Sequence, residues 1–447
     1  MTLATVPRYD DDIATVVGDH AVVLGASMAG LVTARVLADA FETVTVVDRD
    51  SPPDEPVPRR GVPQSTQAHL LIDAGRIIVD DLFPTLSEDL LTAGALLIDA
   101  SRNFSYFSND AFLEFEPLPA PLYMVSRPLL EQVVRDSVAA IDGVDLRWNC
   151  QFLTFDFDED DRRVTGVTLR SDGDEETLPA DLVVDATGRA SRTPRWLAEH
   201  GYEQPPVDEV TIDLAYTTAT IERPPDDRRA YFVPPDPPRT RGCFVFPVED
   251  DRWLLTMNGM HGDHAPADAA GFIEYTEGLP IPDVHDLLET YPMVEEPVKY
   301  PYMASRRNRY WELPDFPDGL LPVGDAIASF NPIFGQGMTV AAFEAVILHR
   351  ELCDGGLDGL WDRYVGNVEA VVETAWLLSV GRDFQYPQTT GPKPRGVDVF
   401  SRYIDYLTVK ARTDGWLSRA LREVVMMDKP PTSLLRPGIV WRALRPW

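Results

Sequence analysis

The thirty residues AVVLGASMAGLVTARVLADAFETVTVVDRD, positions 21–50, decide the fold. A short apolar run from Ala21 to Leu24 meets Gly25 and passes into a helical apolar pattern that reaches Leu37. A second apolar run, Val44 to Val47, ends on Asp48, so the order is strand, helix, strand. Gly25, Ser27 and Gly30 occupy the three small-residue positions of a G-x-G-x-x-G turn, with Ala26, Met28 and Ala29 between them. Gly25 permits the sharp turn, the small Ser27 lets backbone approach a pyrophosphate, and Gly30 lets the helix pack on the strand. The helix N-terminus then presents free amides and partial positive charge to phosphates. Asp48, followed by Arg49, stands where such a fingerprint places the acid that accepts hydrogen bonds from an adenosine ribose. The turn alone does not distinguish one dinucleotide from another, and a ligand-free glycine-rich turn uses the same letters.

Two later stretches repeat the strand-to-turn pattern. In DLVVDATGRASRTPRWL, Val183 and Val184 lead to Asp185, Thr187 and Gly188 before a helix expected near Thr193 and Pro194. In GLLPVGDAIASFNPIFGQG, a short buried strand ends on Gly324 and Asp325, and a helix is expected from about Gly337 through Ala345. A strand terminus puts the Asp325 carboxylate at the mouth of a sheet, where it can accept hydrogen bonds from a polyol chain. Asn331 and Pro332 shape the loop, while Gly335 and Gly337 let main-chain amides approach an aromatic heterocycle at the helix N-terminus. An N-cap or Asx-turn role is the plainer alternative for Asp325.

With these blocks in view, the chain resembles FAD-dependent monooxygenases of the aromatic hydroxylase type over most of its length. GASMAG matches the ADP-binding turn, VVDATG the family's DG motif, and VGDAIASFNPIFGQG the GD motif that reaches the ribityl chain and flavin ring. Within that group it is most similar to the flavin epoxidases of polyether biosynthesis and their uncharacterised relatives, through RRGVPQSTQAHLL, DLVVDATGRAS and GDAIASFNPIFGQGM. Gln336 stands where those epoxidases tend to carry histidine, and VVDATG departs from the DGxxS spelling of many hydroxylases.

The resemblance implies an α/β fold: a Rossmann-like FAD-binding domain, an antiparallel β-sheet substrate domain and a C-terminal helical region. It implies cofactor contacts from Gly25, Ala26, Ser27, Met28, Ala29, Gly30, Asp48, Arg49, Asp185, Gly188, Gly324, Asp325, Pro332, Gly335, Gln336, Gly337 and Met338. Arg60, in RRGVPQ, and Arg127, which begins a helix with Pro128 at its first turn, look like the family's arginines near the flavin or its phosphates. Gln64 and His69 lie in the same block as Arg60. In the resembling enzymes NAD(P)H binds transiently, reduces FAD, and a flavin hydroperoxide gives one oxygen atom to an electron-rich ring or alkene. Only one complete fingerprint is present, which agrees with the lack of a separate nicotinamide domain in that family. No catalytic side chain and no metal ligand are assigned.

The remaining sequence divides the chain. Segments 18–100, 121–195 and 301–350 are expected to form the FAD domain, 101–120 and 196–300 the substrate domain, and 351–447 the helical region. The runs AYTTATIE, RAYFV, RGCFVFPVE and DRWLLTMNGM, separated by Pro- and Asp-rich turns, read as a largely antiparallel sheet. Phe104, Tyr106, Phe107, Phe232, Phe244, Phe246 and Met257 are candidates to line an apolar pocket. Residues 400–447 are comparatively basic and contain Trp416, Trp441 and Trp447, so either a helical cap on an acidic body or a peripheral membrane contact is open to them.

Composition excludes other classes. The balance of 72 acidic against 40 basic residues gives −32, with acids gathered in DFDEDDRR, SDGDEE and PPDEP. A nucleic-acid surface needs clustered cations, so none is expected, and the acidic shell reads as adaptation to a salt-rich cytoplasm. No basic-then-apolar leader opens the sequence and no apolar run spans a bilayer, so a cytoplasmic protein is expected. Cys150, Cys243 and Cys353 form no CxxC pair and read as small apolar residues. The expected partners are a lipophilic small molecule and oxygen. Two alternatives are a flavin-dependent reductase of isoprenoid double bonds, of the geranylgeranyl reductase kind, and a non-catalytic flavoprotein or lipid-binding scaffold. Halogenation is disfavoured, because no WxWxIP-like segment is found.

Overall fold

The computed structural model describes residues 1–113 and 121–445. Positions 114–120 of the 101–120 segment, and 446–447 with Trp447, lie outside the described residues. Five parallel strands form the frame: β1 (Gly18–Leu24), β2 (Phe41–Val47), β3 (Val144–Arg147), β4 (Leu182–Asp185) and β5 (Leu320–Pro322). Their order in space is β5-β4-β1-β2-β3. The last four residues of β1 and β2 and all of β4 are buried, as strands sandwiched between helices must be. The covering helices include α1 (Met28–Leu37), α2 (Arg127–Ala139) and α3 (Gly337–Gly355), with α1 packed against both others.

Register explains why segments far apart in sequence meet. Leu24 pairs with Val47 on one side and Asp185 on the other, and Asp185 pairs with Pro322. Three strand ends are therefore level, and the turns after them leave the same edge of the sheet. Gly25 has φ +109°, and a Cβ there would meet the Ala186 carbonyl oxygen at 2.6 Å. A Cβ on Gly30 would fall 1.8 Å from the Gly25 oxygen, so both positions require glycine.

The second layer is an eight-stranded sheet containing Phe104–Ser108, Val207–Glu222, Ala230–Val233, Arg241–Val248, Arg252–Gly259 and Met293–Asn308. It is antiparallel except where Ala230–Val233 runs parallel to Phe104–Ser108. The four expected strands are present. Met293–Asn308 was not expected, because two prolines and several charges interrupt it. Along most of its length it pairs only with Val207–Glu222, gaining a second neighbour just at Arg306 and Arg307, and a strand near an edge tolerates both.

A three-stranded meander, Cys150–Asp158, Arg163–Ser171 and Asp174–Pro179, packs beside β4. Its acid-rich stretches DFDEDDRR and SDGDEE are hairpin turns plus the strand ends that flank them. Only one face of this sheet is buried, through Val164, Val167 and Leu169, so polarity overrides the strand signal. After α3 come α4 (Leu360–Asp383), α5 (Val397–Ala411), α6 (Gly415–Val425) and α7 (Pro437–Leu444). No helix of the described residues is long and apolar enough to cross a membrane.

Candidate functional site

Three turns and one face of the large sheet enclose a cavity of about 420 Å³. Its first end is made of backbone. Ser27 precedes α1 without capping it, leaving the first-turn amides of that helix unpartnered by any side-chain cap. Gln336 stands in the same relation to α3, after a 3-10 turn over Pro332–Phe334 that Gly335 closes at φ +65°. Ser27 instead donates to Glu131 Oε2 at 2.9 Å and accepts from Arg127 Nη2 at 2.9 Å. Arg127 Nη1 is buried with no partner among the described residues, as is Gln336 Oε1. One orphan cationic donor and two uncapped helix N-termini thus share one cavity, an arrangement suited to anionic oxygens.

Ser27, Met28, Ala29, Arg127, Gly188, Gly324, Asp325, Pro332, Gly335, Gln336, Gly337 and Met338 all line the cavity, as do Gln64 and His69. Gly25, Ala26 and Gly30 form the turn behind it. Asp48 accepts from the Ala26 amide at 2.8 Å and so fixes that turn. Arg49 and Arg60 are exposed and do not line the cavity. In the Arg59–Arg60 pair it is Arg59 that turns inward, bonding Glu131 at 2.6 Å and the Ala26 carbonyl at 2.9 Å. The i,i+4 spacing of Arg127 and Glu131 was a readable sign of this buried ion cluster; nothing in the sequence favoured Arg59 over its neighbour.

Two carboxyls stand at the GD turn. Asp325 has no hydrogen-bond partner among the described residues, and burial raises its pKa to about 6 against the opposing pull of Arg189. Behind it, fully buried Glu344 accepts from the Gly324 amide at 2.5 Å. Burial pushes Glu344 to about 8, so it is protonated at neutral pH. His69 is held neutral, at about 4, by burial and by the Arg127 charge.

The second end is aromatic. Phe104, Tyr106, Phe232, Phe244 and Phe246 face the cavity, with the Phe232 and Phe244 rings stacked at 4.8 Å. Phe107 and Met257 do not join them. Strand alternation turns these two to the opposite face, into a separate core with Trp253 and Leu255. Polar groups interrupt the wall: Tyr216 Oη and Asp383 Oδ2 are buried without partners among the described residues, while Asp383 Oδ1 accepts from Asn331 at 2.7 Å. Burial raises Asp383 to about 7. Both are newly found here, since neither Tyr216 nor Asp383 belongs to a motif.

A family model described as FAD binding domain matches residues 19–373. Protein Rv3254 of Mycobacterium tuberculosis is 33% identical over 439 residues, covering 92% of this chain and 90% of its own. The p-nitrophenol 4-monooxygenase PnpA from Pseudomonas putida DLL-E4 is structurally similar, with TM-score 0.64 at 18% identity over 92% of this chain and 99% of its own. The flavin-dependent brominase Bmp2 has TM-score 0.63 at 16% identity over 95% and 98%. Those two structures share the fold with this chain.

Proposed function

The chain belongs to the FAD binding domain family, whose members are flavin-dependent oxidoreductases, and on that premise we propose a monooxygenase that hydroxylates or epoxidises a lipophilic small molecule with NAD(P)H and oxygen. One observation carries the reading: a single cavity joins uncapped helix N-termini and an orphan arginine at one end to an aromatic wall at the other.

The residues present fit FAD. The unpartnered Arg127 Nη1 and the first-turn amides of α1 would hold the pyrophosphate, and the Asp325 carboxylate the ribityl hydroxyls. The open amides of Gly337 and Met338 would face the ring, since a Cβ on Gly337 finds nothing nearer than Asp325 Oδ1 at 3.9 Å. Bound FAD supplies electron transfer and the activation of oxygen. The chain's own residues position, exclude water and manage protons. The stacked phenylalanines keep the substrate end dry. Asp383 Oδ2 and Tyr216 Oη, costly if left unpaired in such surroundings, would take the polar group of the substrate. The acidic shell suits a salt-rich interior, because salt shortens the reach of its self-repulsion.

The test begins with the visible spectrum of purified protein at high salt, beside a Gly25→Glu variant that fills the turn. Flavin bands in the parent and their loss in the variant are expected; a parent without flavin, binding FAD no better than the variant, sinks the enzyme reading. Substrate-dependent NAD(P)H oxidation with oxygen incorporated into product is the second expectation. Reduction of an alkene under strict anaerobiosis would instead favour a reductase, and FAD binding without turnover a scaffold.

A further inference from the structure

The C-terminal helices differ from the body they cover. Residues 400–447 hold nine basic and four acidic side chains, a net +5, which leaves −37 for the rest of a chain whose total is −32. Helices α5, α6 and α7 bury a small core of their own, including Leu407, Leu417, Leu434 and Ile439. Their outer side is apolar as well. Trp441 is 61% exposed, Leu444 71% and Trp416 41%.

These groups are contiguous. The Tyr406 hydroxyl donates to the Ala443 carbonyl, tying α5 to α7. The Arg442 guanidinium lies over the Trp416 ring at 5.4 Å, and that of Arg445 over Trp441 at 3.5 Å. Aromatic rings capped by guanidinium groups therefore form one face. The same helices reach the cavity on their other side, where Thr408 of α5 and Leu421 and Val425 of α6 line it.

We propose that this face docks on an anionic lipid bilayer and that the lipophilic substrate enters the cavity from it. Docking stands on the patch itself; substrate entry rests on the monooxygenase reading. Indole rings combine an apolar body with a polar N–H and suit the interfacial region, while arginine stems lie along apolar surface with the charge in the headgroups. The patch lies against the headgroups while the acidic body stands further off and is screened more strongly, the Debye length being about 8 Å at about 0.15 M salt and about 3 Å at about 1 M. A second copy is the poorer occupant, because a two-fold contact would set this basic face against itself.

The experiment uses full-length, FAD-loaded protein in flotation assays with vesicles of phosphatidylcholine alone or mixed with phosphatidylglycerol. Wild type is expected to float with the anionic vesicles, and W441S/L444S to lose ~10-fold or more in partitioning with unchanged flavin content. A control, V16S/V57S, removes exposed apolar side chains elsewhere and is expected to float as wild type does. No flotation with either vesicle, equal flotation of both variants, or self-association that W441S/L444S abolishes would each overturn the docking surface. A missing flavin spectrum would remove the substrate-entry step while leaving vesicle binding intact, so the two failures are separable.

Discussion

Asp185 and Asp325 stand at the ends of neighbouring parallel strands, each beside a glycine turn, and the fold uses them in opposite ways. Asp185 is 1% exposed and accepts from four donors: the Thr187 amide at 3.0 Å and the hydroxyls of Thr187, Ser191 and Thr193 at 2.5, 2.6 and 2.5 Å. Asp325 accepts from none among the described residues and faces the cavity. The first carboxylate is consumed in holding its own loop. The second is kept available at an energetic cost. Position at a strand end thus nominates a ligand-binding acid, and the local supply of donors decides whether it is one.

The largest expected effect falls on the consumed partner. Asp185→Ala strands four donors at once, the Thr193 hydroxyl among them fully buried and those of Thr187 and Ser191 half-buried, so urea unfolding of the apo-protein is expected to lose about 4 kcal/mol. Asp325→Ala is expected to leave that stability unchanged or raise it. Equal losses for both would break the contrast.

Glu344 sharpens it through pH. Its folded pKa is about 8 against an ordinary 4.5, so above pH 4.5 the unfolded chain releases a proton that the folded chain keeps. Stability is then lost as pH rises toward 8, by roughly 1.4 kcal/mol per pH unit, and levels off beyond. Glu344→Gln keeps an acceptor for the Gly324 amide and removes the titration. The variant is expected to match wild type near pH 4.5 and to exceed it by ~3 kcal/mol at pH 7, measured by denaturant unfolding at both pH values.

Binding gives the third contrast. If the Asp325 carboxylate takes the ribityl hydroxyls, Asp325→Ala weakens FAD by ~10- to 100-fold, the scale of hydrogen bonds to a charged group, as read by fluorescence titration. Asp185→Ala, assayed where it remains folded, is expected to bind FAD less tightly only to the extent that its loop is disordered, and osmolyte is expected to rescue it.

What was legible follows the same division. Backbone requirements leave a mark in the sequence: Gly25, Gly30 and Gly335 are glycine because a Cβ or a negative φ is impossible or strained there, and the turns they build were found where expected. Strand alternation was half legible. Phe232, Phe244 and Phe246 face the cavity as proposed, but Phe107 and Met257 required knowledge of which face was inward. Long-range pairings left no mark. Arg59 over Arg60, the Asn331–Asp383 bond and Glu344 beneath Gly324 depend on how loops and helices pack against one another, which no local pattern spells. The meander was hidden because acids that suit the solvent also spell loops.

The smallest effect tests whether the space in front of Asp325 is itself functional. A methyl at Gly337 would stand 3.9 Å from Asp325 Oδ1, an ordinary contact, and at the first turn of α3 alanine is the better helix former. Gly337→Ala is therefore expected to stabilise the apo-protein by up to ~1 kcal/mol. The same methyl covers the amides that would face the flavin ring, so FAD affinity is expected to fall although stability rises. A Gly188→Ala variant separates crowding from strain, since its Cβ would lie a similar 3.8 Å from Asp325 Cβ but at φ +73°. If Gly337→Ala gains stability and binds FAD as tightly as wild type, the gap between Asp325 and α3 is packing slack, and the contrast with Asp185 reduces to hydrogen bonding alone.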